Sequence, residues 1–267
     1  MAKYANRNRR TRGRFARKTT KKAKASHKVA TVGMVKKMIA GRIEKKFYTL
    51  ASSNVAVTIQ NNTAPALGAG CIDCLPVLVQ GSTSSTRVGN RVSCKKSVIK
   101  GVMALQAYDA ITNPYAGPVW VKQWLVSMRN NNATNPTAAD WLNFFKTNNT
   151  STGFYGNSQD IVAPIDNDYW VCHKTRTFRL GATSNSASIP QATSVEFDNT
   201  KCTATFSYSI GKHLSKLIYN DATSATALNK NLWLVTEPVY MTNNTASGGL
   251  VAPIKLTYNL QVNYEDA

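Results

Sequence analysis

Seventeen lysines and arginines fall between Met1 and Lys46, against the single acid Glu44, so this stretch carries a net charge of +16. The remaining residues hold 16 basic and 12 acidic side chains, a net +4. A block of like charges repels itself and has little apolar surface to bury, so it cannot belong to a packed core. Residues 1–28 are expected to be disordered when unbound, and the folding problem falls to the nearly neutral remainder. The same block names its partner, a polyanion held by counterion release without base reading. The nucleic-acid-binding residues are expected to be Arg7, Arg9, Arg10, Arg12, Arg14, Arg17, Lys18, Lys21, Lys22, Lys24 and Lys28. The arginines among them favour bidentate phosphate contacts. Such a segment also serves as a nuclear-import signal, whereas membrane binding is disfavoured because Tyr4 and Phe15 are its only aromatics.

Within residues 32–46, Val32, Val35, Ile39 and Ile43 recur at helical spacing, which makes a short amphipathic helix plausible despite Gly33 and Gly41. From Phe47 onward the texture changes to β-branched and aromatic runs between polar stretches. Strands are expected in 55–60, 91–105, 119–128, 169–180, 203–210, 232–237 and 254–264. With no helical patterns between them, seven or eight strands make an all-β sandwich or barrel. One helix is expected after Asn135-Pro136, running through Asp140, Trp141, Phe144 and Phe145 as a decoration on a long loop. The loops are long, rich in Asn, Thr and Ser, and almost uncharged, which suits a subunit that packs against copies of itself.

No run approaches the ~18 apolar residues that cross a bilayer, and the basic start lacks the apolar region of a signal peptide. The five cysteines are an odd number and are expected to be reduced. Cys71-Ile-Asp-Cys74 is half of a zinc site, but Cys94, Cys172, His173 and Cys202 do not supply the other half. Asp166-Asn-Asp168 reads as an Asx turn before a strand in preference to a calcium site. Five N-x-[ST] triplets, headed by Asn61, Asn132, Asn148, Asn149 and Asn243, follow from Asn/Thr-rich loops. Nucleophile-elbow, P-loop, dinucleotide and H-E-x-x-H motifs are absent, and only three histidines occur, so neither an enzyme nor a cofactor or metal is expected.

The segment from Leu78 to Lys95 contains Gln80-Gly81, Arg87, Gly89 and Arg91. It resembles a segment leading into an early jelly-roll strand in capsid proteins of circular Rep-encoding single-stranded DNA viruses, and similar segments occur in coats of small positive-strand RNA viruses. Glu44-Lys-Lys-Phe47 looks like that family's junction between basic arm and body. The resemblance implies an eight-stranded jelly roll of two four-stranded antiparallel sheets, assembled in 60 copies or a multiple of 60. It further implies a virion protein, with the host nucleus visited during infection and a single-stranded viral genome as partner, DNA favoured over RNA. Gln80, Gly81, Arg87, Gly89 and Arg91 are carried over as structural motif positions only. Residues 1–46 then form the arm and linker, and 47–267 the shell domain. The alternative is a cellular nucleic-acid-binding β-protein with a basic tail, of ribosomal or chromatin type. A carbohydrate-binding jelly roll leaves the arm unexplained.

Overall fold

The computed structural model describes residues 45–107, 113, 118–129, 135–181, 202–240 and 251–266. Eleven strands are defined among them: β1 (Lys45–Val57), β2 (Cys71–Asp73), β3 (Arg91–Leu105), β4 (Val119–Met128), β5 (Phe145–Thr147), β6 (Thr150–Thr152), β7 (Trp170–Leu180), β8 (Thr203–Ser209), β9 (Leu217–Ile218), β10 (Trp233–Tyr240) and β11 (Ile254–Asp266). One sheet has the order β1-β11-β3-β8, with β9 also on β3; the other has the order β2-β10-β4-β7. All pairings between these strands are antiparallel. Without the short β5, β6 and β9, the first strand pairs with the last, the second with the seventh, the third with the sixth and the fourth with the fifth. That order is a long hairpin rolled into two sheets, the jelly roll.

The period-2 alternation of β11 shows how the sandwich is filled. Ile254, Leu256, Tyr258, Leu260 and Val262 are buried, while Lys255, Thr257, Asn259 and Gln261 between them are exposed. The buried set meets Leu125, Val121 and Val119 of the opposite sheet in one cluster. A polar chain crosses that core: the Tyr208 hydroxyl donates to Gln123 at 3.0 Å, and the Gln123 amide donates to Thr236 Oγ1 at 3.1 Å. Satisfied in this way, buried polar groups need not destabilise the interior.

β10 is buried at every position. Leu234 and Tyr240 face the sandwich interior, whereas Trp233 and Val235 face a second cluster on the other side of the sheet. The long connection between β4 and β7 supplies this cluster. Trp141, Phe144, Phe145 and Phe154 pack there with Trp124 and Trp170. Trp141 stacks on Trp170 and Phe144 on Phe154, each pair with ring centroids 4.8 Å apart. The connection expected as loop decoration is therefore a second core layer. Its helix is also shorter than its sequence suggests, spanning Ala138–Trp141. Thr137 caps it, in a reciprocal box with Asp140. A second helical turn, Gln159–Val162, precedes β7.

β1 begins at Lys45, earlier than the strand expected at 55–60. Its pattern is inverted at the start: Lys46 is buried and Phe47 is exposed, so charge points inward and an aromatic outward. A bulge between Ser52 and Val55 then resets the alternation.

Candidate nucleic-acid interface

The arm residues Arg7, Arg9, Arg10, Arg12, Arg14, Arg17, Lys18, Lys21, Lys22, Lys24 and Lys28, and the stripe Val32, Val35, Ile39 and Ile43, lie outside the described residues. What the structure defines is the place where that segment joins the body. Lys46 donates to the Thr86 carbonyl at 2.9 Å and pairs with Asp266 at 2.9 Å, which fastens the start of β1 to the β2–β3 connection and the end of β11. A lysine so buried and paired has no charge left for a polyanion.

The five motif residues lie in the β2–β3 connection and at the start of β3. The backbone N–H of Arg87 donates to Val79 and that of Gly81 to Arg87, at 3.0 and 2.9 Å, while the Gln80 side chain donates to the Val88 carbonyl at 2.8 Å. A Cβ on Gly81 would stand 3.1 Å from Thr86 Oγ1, so the turn closes tightly there. Arg87 is fully buried. Its Nε donates to Leu78 O at 3.1 Å, and its Nη1 to Gly89 O and Asn90 Oδ1 at 2.9 and 3.0 Å. Its Nη2 donates to Asp221 O and, at 2.8 Å, to Ser224 O. All five guanidinium N–H groups are thus used. The Tyr219 ring lies 4.4 Å below the guanidinium carbon. Carbonyl dipoles and a ring face, not a carboxylate, solvate this charge, and they join the β2–β3 connection to the β9–β10 connection. Arg91, in contrast, is exposed at the first position of β3 and pairs through its backbone with Ile218.

The remaining bases are spread along the sequence, but the fold gathers five of them with Lys45. Lys45, Arg91, Lys95, Lys96, Lys212 and Lys216 are exposed around the end of the first sheet where β1 begins, because β3 starts and β8 ends there. Only Lys95 of these pairs with a described acid, Glu265, at 3.2 Å. Sequence inspection missed this gathering because it is made by strand register, not by spacing. His173 and His213, forty residues apart in sequence, are likewise brought together, with ring centroids 4.2 Å apart.

The half zinc site is divided by the pleat: Cys71 packs in the outer cluster and Cys74 in the inner one, on opposite faces of the sheet. Burial pushes the Cys71 thiol well up and that of Cys74 also up, which suits apolar packing. Asp166 accepts from the Asp168 N–H at 2.9 Å, the Asx turn expected before β7, and Lys146 pairs with Asp168. Among the described residues no group of three or more metal-ligating side chains occurs, and no helix is long and apolar enough to cross a membrane.

No family model matches the chain, and no curated protein does. Two solved structures align over most of its length. One, titled Desmodium yellow mottle tymovirus, covers 84% of this chain and 88% of its own at 9% identity and a TM-score of 0.33. The other, an unassembled KI polyomavirus VP1 pentamer, covers 84% and 95% at 12% identity and a TM-score of 0.24. Both scores are too low to bear on function, and the fold assignment rests on the strand order above.

Proposed function

We propose that the chain is the shell-forming subunit of a small icosahedral virus and packages a single-stranded genome through its basic segment. The carrying observation is the covalent union of a +16 segment with a jelly-roll body whose first strand starts at Lys45. A segment that binds polyanions without reading bases suits a genome of any sequence, and a closed β-body supplies a rigid tile. Apolar side chains left in water support assembly. Phe47, Val79 and Val88 are each more than half exposed, on β1 and the connection held by Arg87. Exposed apolar side chains gathered in this way suit protein–protein contact. The Gln80–Arg91 segment supports a circular single-stranded DNA virus, assembly in 60 copies or a multiple, and passage through the host nucleus, with the basic segment read by an import receptor. A shell subunit needs no catalytic residues.

The gathering of lysines at one end of the body favours a second reading, a cellular nucleic-acid-binding protein with a basic tail. Electron microscopy separates the two. Purified protein is expected to form closed particles of uniform diameter. Monomers alone at micromolar concentration and moderate salt, with or without nucleic acid, overturn the shell reading.

A further inference from the structure

Two bulges and a glycine turn bring two histidines together where the sequence separates them by forty residues. In β7, Lys174 pairs with Leu125 and Cys172 with Val126, so His173 is the extra residue of a bulge. Bulges re-aim side chains, and this one leaves His173 Nε2 2.9 Å from Ser127 Oγ. In β3, Cys94 pairs with Tyr264 and Ser97 with Val262, so Lys95 and Lys96 together oppose one residue. The turn after β8 closes onto this second bulge, with Ile210 N–H donating to Ser97 O at 2.9 Å. A Cβ on Gly211 would lie 2.7 Å from the Lys95 carbonyl, so a side chain there would hold the turn off. The turn thereby sets His213 against His173.

The charges around the two rings are of one sign. Lys212 adjoins His213 on the turn, and Lys230, on the β9–β10 connection, is near enough to act on both rings electrostatically. β4 offers the Ser127 hydroxyl, and on β7 the neighbours Lys174 and Arg176 lie over the Tyr208 ring, each at 5.3 Å. None of Lys174, Arg176, Lys212 and Lys230 forms an ion pair with a described acid. Burial pushes both imidazoles down, His173 to about 4; His213 and then Lys212 and Lys230 add to the shift at His173, and Lys212 and Lys230 add to it at His213, so the rings are neutral at pH 7.

We propose that His173, His213, Lys212 and Lys230 form a phosphate-binding site on the folded body, filled by a backbone phosphate of the packaged strand. The site rests on the packaging reading above and adds to it a second, fixed contact in addition to the polycationic segment. The lysines supply point charge and each imidazole supplies an N–H donor. An anion bound beside the rings favours their protonated form, so by linkage phosphate binding tightens as pH falls.

The test is binding of a fluorescent eight-nucleotide thymidine strand to the full-length protein over a salt series at pH 7.5 and 5.5. Lys212→Ala/Lys230→Ala is expected to flatten the log–log salt slope by about 0.7, the contribution of the one phosphate the site holds. His173→Gln/His213→Gln is expected to keep most of the slope at pH 7.5 and to lose the tightening at pH 5.5. A slope unchanged in the lysine variant, but flattened when the six arginines from Arg7 to Arg17 become alanine, overturns the body site and leaves the packaging reading standing. Slopes unchanged in both overturn the packaging reading itself. Inorganic phosphate competing as strongly as the strand, per phosphate, makes the cluster a free-anion site and overturns its assignment to nucleic acid.

Discussion

Arg87 shows how one buried side chain can hold two connections together without an acid. Its guanidinium takes five carbonyl and amide oxygens from three parts of the chain, and each of those oxygens is left without its donor if the side chain is removed. An unsatisfied buried acceptor costs about 1–3 kcal/mol, and part of that is recovered where water enters. Arg87→Ala is therefore expected to destabilise the body by more than about 3 kcal/mol, a fall in Tm of roughly 6–12 °C by thermal unfolding at a salt concentration that prevents assembly. Lysine keeps the charge but not the planar fork, so Arg87→Lys should recover less than half of the loss. Equal stability of all three proteins would show that water replaces the guanidinium. The residue types of this segment were readable in the sequence. That Asp221 and Ser224 complete it was not, because nothing local marks a carbonyl as the partner of an arginine 134 residues away.

At the scale of elements, the strands with clean alternation were the legible ones. β3, β4, β8 and β11 begin and end close to where apolar and polar residues alternate. β2 was illegible because three residues carry no period, and the start of β1 because Lys46 turns inward. The connection before β7 misled for a different reason: its aromatics were visible, but their destination, the outer face of β4 and β10, is a tertiary fact. Trp141→Ala should cost about 3–5 kcal/mol, the usual loss for a buried aromatic, and expose Trp170 to fluorescence quenchers. The turn at Gln159–Val162 carries its own pH signature. Asp160 is fully buried and accepts the N–H groups of Tyr155 and Gly156 at 2.9 and 2.8 Å, while Lys122 donates to the neighbouring Ile161 carbonyl. Burial pushes the Asp160 carboxyl up to about 6 from 3.8, and Glu237, buried in the same region, rises further for the same reason and because Asp160 is near. A carboxyl raised in the folded state contributes stability that is present at low pH and lost as pH rises from about 4 to about 6. The Tm of the wild-type protein relative to Asp160→Asn should accordingly fall between pH 4.5 and 7. A flat difference would mean that Asp160 stays ionised throughout.

For the whole molecule the decisive quantity is charge against genome length. Under the packaging proposal, sixty copies of a +16 segment would bring roughly a thousand positive charges into a shell, enough to neutralise directly about one kilobase of single strand, and a 180-copy shell would bring three times as many. The buried pairing of Lys46 with Asp266 lowers that total slightly, and the proposed phosphate contact at Lys212 and Lys230 would raise it again. If the segment binds by charge alone, packaging should be indifferent to sequence and steep in salt, with about 0.7 units of log–log slope per contact on single strands. Replacing Arg7, Arg9, Arg10, Arg12, Arg14 and Arg17 by alanine removes at most six contacts. The slope should flatten by up to about 4, and particles should emerge empty or underfilled with shells of unchanged diameter, as read by the ratio of absorbance at 260 and 280 nm and by electron microscopy. Shell and cargo separate in this way only if the body alone carries the contacts between copies. Loss of particles altogether would instead make the basic segment part of the assembly interface, and nucleic acid a scaffold on which the jelly rolls are arranged.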